Sequence, residues 1–188
     1  MTSTFKLVSA CLLGTLLLTA AYVVALLGVA ALVPDAAHGS LLVDAEGRVV
    51  GSRLVAQRFE SPTYVWPRPS AVDHAADRSG GSNLAPSNPA LRERVVAELA
   101  RLAADAEHPV PLELVLASGS GLDPHVTLAG ALWQAPRIAT ARDVDRREVE
   151  ERLRSLARVP NPWSPPLVNV LEANLELDAS FGTPDIAR

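Results

Sequence analysis

A short segment of the chain holds serine, aspartate and histidine, the three residue types that build a hydrolytic triad. It runs from Ala117 to His125 and reads Ala-Ser-Gly-Ser-Gly-Leu-Asp-Pro-His. A triad needs a serine placed for attack, a histidine beside it and an acid that orients the histidine. In this segment Ser118 or Ser120 would attack, His125 would act as the base and Asp123 would orient it.

The same segment also suits a structural role, which we favour. All three residue types crowd one short loop, and Pro124 fixes the backbone between Asp123 and His125. The Gly-x-Ser-x-Gly motif of a nucleophile elbow occurs only in truncated form, as Gly119-Ser120-Gly121. Asp123 and Thr127 would then cap turns and the next helix. We therefore assign no catalytic residue.

The chain shows no residue spacing typical of a metal site. Its four histidines, at positions 38, 74, 108 and 125, form no pair such as His-x₃-His. The single cysteine, Cys11, lies in an apolar stretch near the N-terminus. The remainder of the chain therefore has no disulfide and no cysteine-based metal site, and we expect no bound metal.

A second polar stretch combines an arginine with small residues. Arg68-Pro69-Ser70-Ala71 is followed by Ser79-Gly80-Gly81-Ser82-Asn83-Leu84. Small residues let a backbone approach a ligand closely, and consecutive amides in such turns can bind an anion. The stretch lacks the Gly-Lys-Ser/Thr ending of a phosphate-binding P-loop. A ligand contact and a tight turn that positions the loop both stay open as interpretations.

A third stretch, residues 168–177, places Asn169 and Asn174 within an apolar run. Asparagines in such a run predict buried amides that tie backbone segments together. The apolar residues satisfy neither the helix period nor the strand period cleanly, so the secondary structure of this stretch stays ambiguous. Nothing in it indicates chemistry.

A few regular elements must position these polar stretches. Residues 41–43 and 48–51 flank the turn-forming Asp44-Ala45-Glu46-Gly47 and predict a hairpin. Residues 61–89 are rich in proline, serine and glycine, which predicts an unusually long irregular segment. Residues 112–117 are predicted to form a buried strand or extended segment.

Two amphipathic helices are predicted farther along the chain. The first is capped by Ser87 or Asn88 and carries one apolar stripe, formed by Leu91, Val95, Leu99 and Leu102. It is expected to stop at Pro109 and Pro111. The second begins at Asp145, whose capping-box partner would be Glu148. Between the two helices, residues 127–142 are helix-prone but interrupted at Pro136. The predicted fold class is α+β.

An apolar segment near the N-terminus is predicted to cross a membrane. Between Lys6 and Asp35 the only ionisable side chains are Cys11 and Tyr22. A helix over residues 7–33 would be roughly 40 Å long, enough to cross a hydrocarbon core of about 30 Å. The alternative is a cleaved signal peptide, but the apolar run is longer than such segments usually are. We favour an uncleaved anchor.

Charge bias predicts the orientation of this anchor. Its N-terminal side carries the α-amine and Lys6, whereas Asp35, Asp44 and Glu46 come first on the other side. Positive charge resists translocation, so residues 1–6 should stay cytoplasmic and residues 34–188 should form one extracytoplasmic domain. This domain is mildly acidic without a basic patch, which argues against a nucleic-acid partner. We expect a single-pass protein of the plasma membrane.

In their order, these segments resemble the C subunit of the Kdp-type potassium-transporting ATPase. The resemblance covers essentially the whole chain. The residues that carry it are Gly51-Ser52, Gln57, Phe59, Arg68-Pro69-Ser70-Ala71, Ser79 to Leu84, Pro86, Asn88, Pro89, Ala117 to His125, Gln134, Pro136-Arg137, Ala141-Arg142, Val168 to Leu171 and Asn174.

The resemblance implies an accessory, non-catalytic subunit of a high-affinity, ATP-driven potassium uptake complex. Its partners would be the potassium-binding and ATP-hydrolysing subunits. The C subunit would stabilise the assembly and act as a catalytic chaperone that raises the ATP affinity of the ATP-hydrolysing subunit. ATP would act through the complex, and the resemblance implies no cofactor bound directly by this chain. The residues implied for subunit or nucleotide contact are Arg68, Ser79, Gly80, Gly81, Ser82, Asn83, Ser118, Gly119, Ser120, Gly121, Asp123, His125, Gln134 and Arg137.

Two other functions stay open beside this one. A membrane-anchored hydrolase would use Ser118 or Ser120 with His125, and a free-standing anchored module would bind a ligand alone. The apolar segment adds a feature that favours assembly with partners. Four small residues are spaced so that they form one face of the predicted helix: Gly14, Ala21, Ala25 and Gly28. Helices can approach closely in lipid along such a small-residue face.

Overall fold

The structure is a computed structural model that describes residues 2–104 and 107–184. It divides into two compact units, Met1–Ser40 and Leu41–Arg188. Met1 of the predicted cytoplasmic segment and residues 185–188 of the predicted domain lie outside the described residues. The mixture of helices and strands confirms the α+β class.

The first unit consists of a long apolar helix and one short turn of helix. Helix α1 spans Thr2–Leu32, and its 31 residues give a length of about 46 Å. Its segment Ser3–Leu32 is long and apolar enough to cross a membrane. The helix begins before the predicted start at residue 7. Helix α2, Pro34–Ala37, was not predicted, and Pro34 occupies its first turn, where the missing N–H costs no hydrogen bond.

Within residues 41–104 and 107–184, the second unit holds two small antiparallel sheets and four α-helices. The predicted hairpin is confirmed as β1, Leu41–Val43, paired with β2, Val49–Ser52. The other elements, in chain order, are α3 Pro89–Arg101, a 3₁₀ turn Leu112–Leu114, β3 His125–Thr127, α4 Leu128–Arg142, α5 Arg146–Leu156, β4 Leu167–Asn169 and α6 Val170–Phe181. Strand β3 pairs with β4.

Side-chain caps set where the helices begin. Asn88, rather than Ser87, caps α3 by accepting from the Ala90 amide. Thr127 caps α4 and Asp145 caps α5, as their sequence contexts predict. Asn169 ends β4 and caps α6 by accepting from the Glu172 amide. The ambiguous stretch is therefore a strand that changes to a helix at one residue, which explains why neither period fits it.

Two predictions of secondary structure are wrong, and the predicted end of one helix is too late. Helix α4 continues through Pro136, because the buried side chains around this proline pack into the core opposite α5 and outweigh the lost backbone hydrogen bond. The segment after Pro111 forms a 3₁₀ turn in place of a strand. This turn buries Leu114 and brings the Glu113 carboxylate to the Thr127 amide and hydroxyl, 3.0 and 2.5 Å away. Helix α3 also ends earlier than expected, at Arg101.

Residues 53–88, all of which the structure describes, contain neither helix nor strand. Their ordering depends on two buried amide side chains. Asn174 on α6 accepts from the Val65 amide at 2.7 Å and donates to the Val65 carbonyl at 3.1 Å. Gln134 on α4 accepts from the Trp66 amide at 2.8 Å and donates to its carbonyl at 3.2 Å. We call these two pairings the loop clasp.

Two arginines on α4 extend the contact to the residues before the clasp. Arg137 donates to the carbonyls of Pro62 and Tyr64, and Arg142 donates to the carbonyl of Thr63. The Arg142 side chain is almost fully buried and also pairs with Asp178 at 2.7 Å. Charged donors therefore satisfy three consecutive loop carbonyls, as burial of backbone polar groups requires.

Replacing Asn174 by alanine should destabilise the domain strongly. The change leaves the buried amide and carbonyl of Val65 without partners, which costs about 3 kcal/mol in the free energy of unfolding. Urea unfolding of the full chain in detergent, followed by circular dichroism, measures this loss. Asn161→Ala, in an exposed loop, is the matched control and should cost less than about 1 kcal/mol. Equal losses for the two variants would show that the clasp is not a principal support of the loop.

Candidate functional site

Most of the candidate residues meet where three loops converge. We call this place the loop junction, formed by residues 68–74, 79–83 and 118–125. The Ser118 amide donates to the Pro69 carbonyl at 2.9 Å, and the Gly80 amide donates to the Ser120 carbonyl at 2.7 Å. The Ser70 hydroxyl donates to the Gly121 carbonyl at 2.7 Å. The junction is therefore held by backbone groups of all three loops.

The serines in the junction bond mainly to backbone groups. Ser79 Oγ donates to the Ser120 carbonyl at 3.0 Å. Ser118 Oγ accepts from the Gly121 amide and lies 3.2 Å from Ser120 Oγ, which accepts from the Leu122 amide. These are the contacts of turn-forming serines, in agreement with the structural interpretation of the segment.

Two of the four junction glycines are required by close packing. A Cβ at Gly81 would lie 2.9 Å from the Gly119 carbonyl oxygen, and a Cβ at Gly121 would lie 2.8 Å from the Gly80 carbonyl oxygen. Gly121 also has a φ of +71°. In contrast, a Cβ at Gly80 would be 3.7 Å from its nearest neighbour, and one at Gly119 would meet nothing within 4 Å. The loop backbones approach each other too closely at Gly81 and Gly121 for a side chain, so this packing of the loops requires glycine at both positions.

Asp123 links the junction to Arg68 and His125. Its carboxylate lies 3.2 Å from Arg68 Nη1, and it accepts from the His125 amide at 3.1 Å. The His125 Nδ1 atom is 3.7 Å from Asp123. Burial raises the pKa of Asp123, but the hydrogen bonds from His125 and the Arg68 charge outweigh it, so its pKa lies below the ordinary value. Asp123 therefore stays ionised at neutral pH.

Neither serine hydroxyl is hydrogen-bonded to the histidine as a hydrolytic triad requires. Among the contacts of the described residues, the His125 ring faces Asp123, whereas Ser118 Oγ and Ser120 Oγ face each other and the turn. The same part of the chain holds no cluster of three His, Cys, Asp or Glu side chains for a metal ion. The arrangement suits a rigid turn better than nucleophilic catalysis.

The anion-binding interpretation of residues 79–84 also loses support. The Gly80 amide already donates to the Ser120 carbonyl. Ser82 is half-buried, and Asn83 is exposed with a φ of +49°. An anion-binding turn needs consecutive amides that point toward one ligand. The Gly80 amide is not available for this purpose, because it already donates a hydrogen bond within the protein.

Gln134 belongs to the loop clasp and Arg137 lies beside it, so neither residue is part of the junction. Arg137 donates to Gln134 Oε1 at 2.7 Å, and its guanidinium carbon lies 3.7 Å from the centre of the Trp66 ring. Arg101 lies 4.5 Å from the same ring centre. Burial, with a smaller contribution from the Arg101 charge, lowers the pKa of Arg137 to about 10. Both side chains therefore stabilise the conformation of the loop around Trp66.

A cleft of about 390 Å³ lies between the clasp and the junction. Its walls include Trp66, Arg68, Ser70, His74 and Arg101. Burial lowers the pKa of His74, so this ring is neutral at neutral pH. The sequence indicates the Arg68 motif as a candidate site but does not indicate Trp66 and His74. Only the folded loop brings these two side chains together with Arg68 in one cleft.

The described residues form an α+β domain on a chain that also carries an apolar helix of membrane-spanning length. The family model described as K+-transporting ATPase, c chain (KdpC), matches residues 4–179. The chain therefore belongs to the KdpC family, the c chain of potassium-transporting ATPases.

Individual relatives agree with the family match. The chain is 48% identical over 149 residues to the potassium-transporting ATPase KdpC subunit of Parvibaculum lavamentivorans, covering 78% of this chain and 80% of that protein. It is 48% identical over 158 residues to that of Pseudomonas aeruginosa PAO1, covering 84% and 86%. It is 50% identical over 155 residues to that of Sorangium cellulosum, covering 78% and 81%.

The two kinds of junction glycine should respond differently to the same substitution. Gly81→Ala pushes a methyl group against the Gly119 carbonyl and should lower the free energy of unfolding by about 2 kcal/mol. Gly80→Ala has room for its methyl group and should change stability by less than about 1 kcal/mol. Urea unfolding of both full-length variants measures the difference. An equal loss in the free energy of unfolding for Gly80→Ala and Gly81→Ala would contradict the close packing at Gly81.

Proposed function

We propose that the chain is a non-catalytic accessory subunit of an ATP-driven potassium uptake complex, where it stabilises assembly and raises the ATP affinity of the ATP-hydrolysing subunit. The observation that carries the proposal is the family match across residues 4–179. The bonding of the junction supports it, because Ser118, Ser120 and His125 hold loops together and form no triad. The partners are the potassium-binding and ATP-hydrolysing subunits.

The proposed topology places residues 1–6 in the cytoplasm and the domain from residue 34 on the opposite side of the plasma membrane. The charge bias between Lys6 and the acidic residues that follow the apolar helix supports this orientation. ATP is cytosolic, so the effect on ATP affinity reaches the nucleotide through the membrane spans of the complex. In the proposed topology, ATP does not bind at the loop junction.

Adding the chain to its partner subunits should lower the KM for ATP. A coupling of typical size, 1–3 kcal/mol, gives an effect of about ten-fold. ATP hydrolysis is measured in purified complexes with and without this chain, after both large subunits are shown to be present. The isolated chain should hydrolyse nothing. An unchanged KM in a complex that retains the chain would contradict the chaperone role while leaving the family assignment intact.

A variant of the open junction glycine separates this indirect effect from direct nucleotide contact. A Cβ at Gly119 would meet nothing within 4 Å, so Gly119→Leu starts a side chain in open space, where it would obstruct a ligand at the junction. The proposal expects the KM for ATP in the complex to stay at the wild-type value. A raised KM with assembly intact would instead indicate that ATP, or another subunit that responds to ATP, contacts the junction.

The small-residue face of α1 is proposed as a helix-docking surface. Gly14→Leu and Ala25→Leu should weaken recovery of the complex without preventing membrane insertion, because bulk on this face keeps helix backbones apart. Co-purification of the partner subunits measures assembly, and membrane fractionation measures insertion. Ala20→Leu is the control, since it lies about 120° around the helix from Gly14. Normal recovery of both variants would refute the proposed face.

A further inference from the structure

A histidine lies among arginines in the cleft between the loop clasp and the loop junction. Besides His74, the charged residues that line this cleft are Arg58, Glu60, Arg68, Asp73, Glu98 and Arg101. The carboxylates of Glu60 and Glu98 already pair with Arg58 and Arg101. The three cations and three anions of the lining balance, so the cleft is neutral only while the His74 ring is neutral.

Hydrogen bonds and backbone conformation hold the His74 ring in the cleft. Its Nε2 atom donates to the Arg68 carbonyl at 3.2 Å, and its backbone amide donates to Ser70 Oγ at 3.0 Å. Asp73 and His74 both have left-handed backbones, with φ of +53° and +55°. Residues with a Cβ keep this conformation where surrounding contacts impose it. The ring therefore cannot turn into water without breaking these contacts.

Arg101 is the more easily displaced charge in this cleft. Its guanidinium carbon lies 4.5 Å from the centre of the Trp66 ring, on which Arg137 also stacks. The Arg101 side chain is 39% exposed, so water lies beside it, whereas Trp66 is only 8% exposed. The next residue, Leu102, is buried and anchors the end of α3. A displacement of Arg101 would therefore move its side chain and not the helix.

The surroundings of His74 oppose its protonation. Burial has the largest effect in lowering its pKa, and the charges of Arg58 and Arg101 add to it. The hydrogen bond to the Arg68 carbonyl and the charge of Asp73 act in the opposite direction without reversing the shift. His74 therefore gains its proton below the ordinary histidine pKa of about 6.5. By linkage, a proton that binds more readily when Arg101 is displaced must itself favour the displacement.

We propose that protonation of His74 in mild acid displaces the Arg101 side chain from Trp66 and opens the cleft. The charged ring would be a fourth cation in a lining whose carboxylates Glu60 and Glu98 are already paired. Because the ring is fixed and Arg101 has water beside it, movement of Arg101 relieves the repulsion. The cleft then responds to the acidity of the compartment that contains the domain. This response requires only the fold of the domain, not the proposed effect on ATP affinity.

Quenching of Trp66 fluorescence by acrylamide measures the opening. The full chain in detergent carries Trp133→Phe and Trp163→Phe, so that Trp66 is its single tryptophan. On acidification from about pH 8 to about pH 5, across the range in which histidine titrates, the Stern–Volmer constant should rise severalfold. The midpoint should lie below about pH 6.5. Circular dichroism should stay constant over the same range, which shows that the domain remains folded.

Two variants in this background assign the response to its residues. His74→Gln keeps an N–H donor for the Arg68 carbonyl without a titratable ring, and its quenching should stay at the neutral-pH value throughout. Arg101→Met keeps a long side chain beside Trp66 without the charge and should lose most of the response. His38→Gln, in the first unit, is the control and should respond as the parent chain does.

Three results would overturn the proposal. The first is a Stern–Volmer constant for Trp66 that is the same in neutral and in mildly acidic solution. The second is a rise in His74→Gln equal to that in the parent chain, which would assign the response to another group. The third is an undiminished response in Arg101→Met, because the opening would then not depend on the Arg101 charge. None of these results depends on whether the chain changes the KM for ATP.

Discussion

The arrangement of the domain depends on how two buried side-chain amides satisfy the backbone of one irregular loop. A long segment without helix or strand cannot pair its own N–H and C=O groups, and burying them unpaired is costly. Asn174 and Gln134 each offer one donor and one acceptor, as a neighbouring strand would, and pair with both backbone groups of Val65 and Trp66. The clasp thus replaces a sheet edge with side chains from two helices.

The clasp also determines where the loop junction forms. Trp66 lies only two residues before Arg68, so fixing its backbone and stacking Arg137 on its ring places Arg68 within reach of Asp123. The loops of the junction approach each other so closely that Gly81 and Gly121 have no space for a side chain. The motif residues therefore act mainly as structural partners of one another.

This division of roles is consistent with a subunit of a larger complex. The domain has no cysteine with which to form a disulfide, so packing, the clasp and the partly buried ion pair of Arg142 with Asp178 hold it together. The chain joins this rigid domain through a short connector to an apolar helix that meets the length and composition of a membrane span.

The sequence by itself determined the apolar helix, the β1–β2 hairpin, the caps at Thr127 and Asp145, and the family, because each depends on local spacing or on an ordered set of motifs. It left the cap of α3 open between Ser87 and Asn88. Two asparagines in an apolar run were also enough to predict buried amides. Only the tertiary structure decided that α4 passes through Pro136, since packing energy outweighs the local cost of a proline.

The tertiary structure likewise decided which loops meet. Residues 79–81 contact residues 118–121 across about forty positions of sequence, and Gln134 reaches Trp66 across a separation of 68. No local period or propensity encodes such contacts, because they depend on how the whole core directs its loops. For the same reason, sequence alone grouped Gln134 and Arg137 with the glycine-rich motifs, whereas in the folded chain Gln134 forms part of the clasp and Arg137 donates to Gln134 beside it.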